Sequence, residues 1–185
     1  MTTTKSIDAK DVQTLRAETG AGVMDCKRAL EESSGDIAKA RDLLRQKGLA
    51  AAAKRATREA REGVVESYIH SGGRIGALVE LSSETDFVAR GEQFRELAKN
   101  IAMQVAAMAP VVVSEDELTP DLRQQLLQEH GDDEKKAIEA GVLLRQPYIK
   151  DNTKTIGDLV TAIAAATGEN VRVRRFARFQ LGSAA

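Results

Sequence analysis

The chain has 185 residues, of which 42% are hydrophobic, 30% charged and 3% aromatic, and its formal net charge is −1. That length suits one or two domains with a real core, and a charge near zero gives no general drive toward nucleic acid or membrane. The lone cysteine, Cys26, excludes an intrachain disulfide and a cysteine zinc cluster. With no apolar run of membrane-spanning length, and no apolar segment in Met1 to Lys5, a cytoplasmic protein is expected.

The first 48 residues read as three short helices. Asp8 is placed to cap the first, with Ile7 and Val12 at the spacing of a hydrophobic staple. Val12 and Leu15 form its apolar stripe, and Gly20 stops it. The second helix starts near Gly22, buries Val23, Cys26, Ala29 and Leu30, and ends at Gly35. Asp36 caps the third, whose inward residues are Ile37, Ala40, Leu43 and Leu44, and Gly48 is read as its stop. A small module of this kind commonly serves as a docking surface. Residues 49–62 follow as a basic, alanine-rich connector with Lys54, Arg55, Arg58 and Arg61. No aromatic is interleaved for base stacking, so a solvated linker helix is favoured over a nucleic-acid arm.

A second domain is expected over 63–185. Val64–His70 and Arg74–Ser82 form a hairpin around Ser71-Gly72-Gly73, with Ile75, Ala77, Val79 and Leu81 on one buried face. A helix over 92–108 carries Phe94, Leu97, Ile101, Val105 and Met108 at helical spacing. Pro110 ends it, Val111-Val112-Val113 reads as a short strand, and Ser114 and Glu117 have capping-box spacing. A helix restarts at Thr119-Pro120, with proline at its first position. Acidic helices occupy 120–141, interrupted by Gly131. After the loop Gln146-Pro147-Tyr148, a helix over 155–167 turns Ile156, Leu159 and Ile163 inward and stops at Gly168. The final strand runs from Val171 to about Leu181.

Charge is distributed unevenly. Residues 1–61 carry 13 positive and 9 negative side chains, 111–141 carry 3 and 9, and 142–185 carry 7 and 3. Arg172, Arg174, Arg175 and Arg178 make the last strand basic. Three readings stand: a phosphate-contacting ribbon, an edge strand blunted against aggregation, or a surface paired with the acidic middle. The odd spacing of Phe176 and Phe179 puts them on opposite faces of an unbroken strand, and a bulge near Arg174-Arg175 is expected to resolve this.

Motifs for chemistry are few. Thr19-Gly20-Ala21-Gly22 lacks both the Gly-Lys-Ser/Thr ending and the preceding strand of a phosphate loop, and reads as an interhelical turn. His70 and His130 have no ligand-spaced partner, so neither metal nor cofactor is expected. No nucleophile elbow or dinucleotide fingerprint is present. The unusual stretch is Ser83-Glu84-Thr85-Asp86-Phe87-Val88-Ala89-Arg90, which sets an acid and a large aromatic between a buried strand and a helix. By local chemistry alone, Phe87 covers a core edge and Asp86 caps the next helix; display of the pair to a partner is the alternative.

That octapeptide closely resembles the signature of bacterial elongation factor Ts. The block from Leu15 to Leu30 resembles the same family, as do Gly35-Asp36, Leu43 to Gly48, Glu62-Gly63, Leu143-Leu144-Arg145-Gln146-Pro147 and Arg175 to Phe179, all in family order. The resemblance implies an α+β fold, with a ubiquitin-associated-like three-helix domain followed by a core with a small antiparallel sheet flanked by helices. It implies a guanine-nucleotide exchange factor that binds elongation factor Tu, GDP-bound or nucleotide-free, and does no covalent chemistry. Thr85, Asp86, Phe87 and Val88 would enter the GTPase domain near its Mg²⁺ site, and Leu15, Arg16, Thr19, Gly20, Ala21 and Gly22 would contact the same domain. Two departures matter. The family often has Asn where Ser82 and Gly91 stand, so contacts by those side chains are not carried over. Only residues 114–142 separate the short strand from Leu143, whereas longer members carry a second core subdomain and a coiled-coil insertion. The short form leads to the expectation of a homodimer through the core. The competing function is an RNA- or ribosome-binding protein using Lys54 to Arg61 and the terminal arginines.

Overall fold

The computed structural model describes residues 7–183, so the expectation for Met1 to Lys5 lies outside the described residues. The chain divides into two compact units, one of residues 7–59 and 161–170, the other of 60–160 and 171–183. The class is α+β, with helices leading and a small antiparallel sheet following.

In the first unit, α1 (Ala9–Thr19) starts at Asp8, whose carboxylate accepts from the Lys10 N–H at 3.1 Å. It ends at Gly20, where a left-handed φ of 68° lets the glycine N–H close on the Arg16 carbonyl at 2.8 Å. α2 (Val23–Glu32) and α3 (Ile37–Arg55) complete the layer, with Asp36 capping α3 through the Lys39 N–H. Leu15, Cys26, Ala29, Leu30, Ala40 and Leu44 form the core, and Ile7 and Val12 pack on it together, as the staple requires. Two expectations fail. Val23 is half exposed: it opens α2 in line with Cys26 and Leu30 but lies outside the core cluster they join. Gly48 does not stop α3, which continues to Arg55. A glycine ends a helix by turning left-handed, which Gly48 does not do. The run Ala50 to Ala53 favours continuation, and a Cβ at 48 would meet Thr161 at 3.4 Å.

In the second unit, β1 (Glu62–Ile69), β2 (Ile75–Ser83) and, from the far end of the chain, β5 (Arg172–Gln180) form an antiparallel sheet with β2 in the middle. α5 (Glu92–Met108) packs on one face, setting Phe94, Leu97, Ile101 and Val105 against Ala77, Val79 and Leu81. Met108 departs from the expected stripe and is exposed at the end of the helix. The opposite face carries Val65, Ile69, Leu78 and Phe179, all exposed.

The bulge in β5 is present: Glu80 pairs with Arg175 and Leu81 with Val173, leaving Arg174 as the extra residue. It does not unite the phenylalanines. Phe176 lies opposite Val79 and Phe179 opposite Gly76, on the two faces of the sheet, because the bulge precedes both. Three of the strand's arginines are engaged within their own unit. Glu80 receives Arg175 at 2.7 Å and Arg174 at 3.6 Å, and Arg178 Nε donates to the Ala106 carbonyl near the end of α5.

The remainder of this unit braces α5. Ala109 turns left-handed before Pro110, and Val111–Val113 is not a strand; Val112 makes a single parallel bridge to Val142. The ladder cannot grow, because the partner segment coils at once into a 3₁₀ turn, Leu143–Arg145. Thr119 caps α6 (Pro120–Glu129) and Asp133 caps α7 (Glu134–Gly141). A small core joins Val112, Ile138 and Val142 with Leu118 and Leu122. Where a loop was expected, β3 (Pro147–Tyr148) pairs with β4 (Asp151–Thr155). Gln104 and Gln146 are both fully buried and bonded at 3.1 Å; Gln104 also accepts the Ile149 N–H and donates to the Pro147 carbonyl. α8 (Ile156–Thr167) belongs to this unit as far as Val160 and to the first unit from Thr161; its most buried residues are Ile156, Val160 and Ala164, while Leu159 and Ile163 are only half-buried. The stripe follows a strict four-residue step rather than the mixed step expected.

Candidate protein-binding site

β2 delivers the chain to the octapeptide at Ser83, which is fully buried and donates its hydroxyl to the Thr85 carbonyl at 3.0 Å. Thr85 is extended and N-caps a single helical turn, α4 (Asp86–Arg90), accepting from the Val88 N–H at 3.4 Å. Thr85, not Asp86, is therefore the cap. Asp86 occupies the first helical position, where a carboxylate complements the helix dipole, and pairs with Arg90 one turn on at 3.0 Å. Gly91 ends α4 and caps α5, its N–H closing on the Val88 carbonyl at 2.9 Å.

Five residues are too few to hold a helix by themselves. Packing holds this one. Val88 and Ala89 turn inward, and α4 rests on β1, β2 and α5. At 100° per residue the same turn directs Asp86, Phe87 and Arg90 outward. Phe87 is 85% exposed, so it covers no core edge. The local-chemistry expectation fails because Val88 already fills the seat assigned to Phe87. Of the four residues named for this segment, three face solvent and Val88, 9% exposed, is the anchor.

The six residues named in the N-terminal unit also divide. Leu15 is fully buried in the three-helix core. Arg16 is exposed, and Thr19 is half-buried, donating to the Leu15 carbonyl at 2.6 Å and accepting from the Ala21 N–H at 3.3 Å. Gly20 and Gly22 are exposed, with Ala21 half-buried between them. Beside this turn stand two apolar residues that the helical pattern did not single out as outward: Val23, and Met24 at 64% exposure. The available signal was position: both stand in the first turn of α2, before the Cys26, Ala29 and Leu30 that fill the core. Cys26, beneath them, is buried, and burial pushes its thiol pKa upward, which makes it a packing residue rather than a nucleophile.

Among the described residues, no group of three or more His, Cys, Asp or Glu is placed to hold a metal ion. His70 is exposed and its Nδ1 lies 3.2 Å from the Tyr68 hydroxyl. No described helix is long and apolar enough to cross a membrane.

Fold and site define an α+β protein with a helical N-terminal unit and an aromatic carried outward on one anchored helical turn. The family model described as Elongation factor TS matches residues 10–183. The chain is 52% identical to an elongation factor Ts of Desulforamulus reducens, across 95% of this chain and 89% of that one. It is 48% identical to that of Syntrophobacter fumaroxidans, across 97% and 99%, and 51% identical to that of Synechococcus sp. (strain JA-3-3Ab), across 96% of this chain and 70% of the relative. The chain belongs to the elongation factor Ts family, a family of translation elongation factors.

Proposed function

We propose that this protein is the guanine-nucleotide exchange factor for elongation factor Tu, and that Phe87 is its working residue. The observation that carries the reading is the exposure of Phe87 on a turn anchored through Val88 and Ala89. A fully hydrated aromatic costs free energy unless a partner covers it. Family membership supplies the partner class, and the rigid seat supplies the means to push. Mg²⁺ in a GTPase bridges phosphate oxygens and protein side chains. Phe87 wedged beside that site displaces the groups that place the metal, and Asp86 orients the wedge by a polar contact. Factor and nucleotide then disfavour each other reciprocally. A penalty of about 4 kcal/mol corresponds to roughly a thousandfold weaker GDP binding.

In this reading Thr85 and Val88 frame the wedge, Thr85 as cap and Val88 as anchor. The turn from Thr19 to Gly22, with Arg16 beside it, is a second contact that holds the GTPase, and Leu15 supports it from the core. The module of residues 1–48, its linker over 49–62 and the core over 63–185 act as docking unit, connector and exchange unit. The factor works in the cytoplasm, by binding alone, without cofactor or covalent step. It acts as a homodimer whose contact is the open sheet face bearing Val65, Ile69, Leu78 and Phe179. Release of labelled GDP from elongation factor Tu tests the reading: addition of this chain should accelerate it, and Phe87→Ala should remove most of the acceleration.

A further inference from the structure

The structure points to Ser83 as the positioning residue for Phe87, and we infer that its hydroxyl sets the angle at which the wedge leaves the sheet. The inference rests on the exchange reading above. Ser83 is the last residue of β2, in register with Glu62 at the start of β1, and is fully buried. It is therefore part of the rigid sheet. Its hydroxyl donates to the Thr85 carbonyl at 3.0 Å, across the two residues at which strand becomes helix. The same carbonyl accepts the Ala89 N–H at 3.2 Å, the first hydrogen bond of α4. One oxygen thus receives a donor from the sheet and a donor from the helix, and the peptide between Thr85 and Asp86 is held from both sides.

Three further restraints on this segment act differently from that bond. The Thr85 side-chain cap is long at 3.4 Å. The Asp86–Arg90 pair joins two exposed side chains, so solvent screens it, and it fixes the turn internally without tying it to the sheet. Val88 and Ala89 fix the depth of the turn, but small apolar contacts tolerate rotation about their seat. A directional hydrogen bond from a buried group does not. A wedge that must enter a packed partner loses efficiency when its direction wanders, even though its contacts are unchanged.

A double-mutant cycle on the full chain separates positioning from general structural support. The proteins are wild type, Ser83→Ala, Phe87→Ala and the double variant, and the readout is GDP release from elongation factor Tu as a function of factor concentration. Ser83→Ala should lower exchange efficiency about fivefold, the factor corresponding to one ordinary hydrogen bond, and should cause no further loss in the Phe87→Ala background. Wild-type efficiency in Ser83→Ala, or the same fivefold loss in both backgrounds, would overturn the role of Ser83 while Phe87→Ala alone still reports on the wedge. If Phe87→Ala itself exchanges at the wild-type rate, the wedge reading falls and this inference with it. Should Ser83→Ala fail to fold, Ser83→Cys keeps a side chain of similar shape with a weaker donor. The same cycle then applies: a smaller loss confined to the Phe87 background supports the role, and no loss or an additive loss refutes it.

Discussion

Phe87 and Val88 are adjacent in sequence and opposite in exposure: 85% of Phe87 is open to solvent and 9% of Val88. The 100° step of a single helical turn separates a side chain available to a partner from one committed to the core. The two substitutions should therefore separate function from stability. Phe87→Ala should leave the unfolding free energy within about 0.5 kcal/mol of wild type. Val88→Ala removes buried methyl groups and should cost about 1.5 kcal/mol. Chemical denaturation of both variants checks the contrast.

The open face of the sheet should hold two copies together. Leu78 stands at its centre on β2, paired with Ser67 and Ala177, with Phe179 toward one end at 68% exposure. Leu78→Lys places a charge in the middle of that face and should convert a dimer into a monomer by light scattering. A wild-type mass of one chain at concentrations that support full exchange would contradict the assignment.

Gln104 and Gln146 should be essential to the brace behind α5. Replacing Gln104 with Leu removes a partner from the Gln146 amide oxygen, the Pro147 carbonyl and the Ile149 N–H. Buried groups left without partners cost about 1–3 kcal/mol each, so a loss of about 3 kcal/mol is expected in urea unfolding. The exposed turn at Phe87 does not use this network, so the rate at saturating factor should hold below the unfolding transition.

Acid should loosen the starts of α3 and α7 and the turn at Asp151. Asp36 and Asp133 are held below the usual carboxylate range chiefly by backbone N–H groups of α3 and α7, from Lys39 and Lys136, and Asp151 chiefly by the Thr153 side chain. Their folded pKa values lie below the unfolded value of about 3.9. Their contribution to stability is complete above that value and is lost as pH falls through the folded values. Unfolding midpoints should be flat from about pH 7 to pH 5 as far as these groups decide, and fall below about pH 4. Asp36→Asn should flatten part of that fall.

Much of the fold was legible because its signals are local. Asp8, Asp36 and Thr119-Pro120 announce helix starts by their own chemistry, and Ile75 to Leu81 alternate as a half-buried strand must. What escaped depends on partners outside each segment's own pattern. Gly48 reads as a stop, but its backbone stays helical and α3 runs on to Arg55. The strand Asp151–Thr155 is polar throughout and exists because Pro147 and Tyr148 pair with it. The arginines of β5 leave three readings open in the sequence, and Glu80, more than 90 residues earlier, holds two of them. At the site, the motif drew attention to the octapeptide, but residue patterns could not divide it into Phe87 outside and Val88 inside. That division follows from a five-residue helix seated on β1, β2 and α5.

In the proposed function, an exposed Phe87 drives nucleotide out of a GTPase. Its most direct measurement is the rate of labelled GDP release from elongation factor Tu with wild-type chain and with Phe87→Ala at matched concentrations. A buried aromatic anchor at an interface is worth about 2 kcal/mol or more, so the variant should be at least about thirtyfold slower while its unfolding midpoint stays at the wild-type value. Equal rates for the two folded proteins would contradict the account.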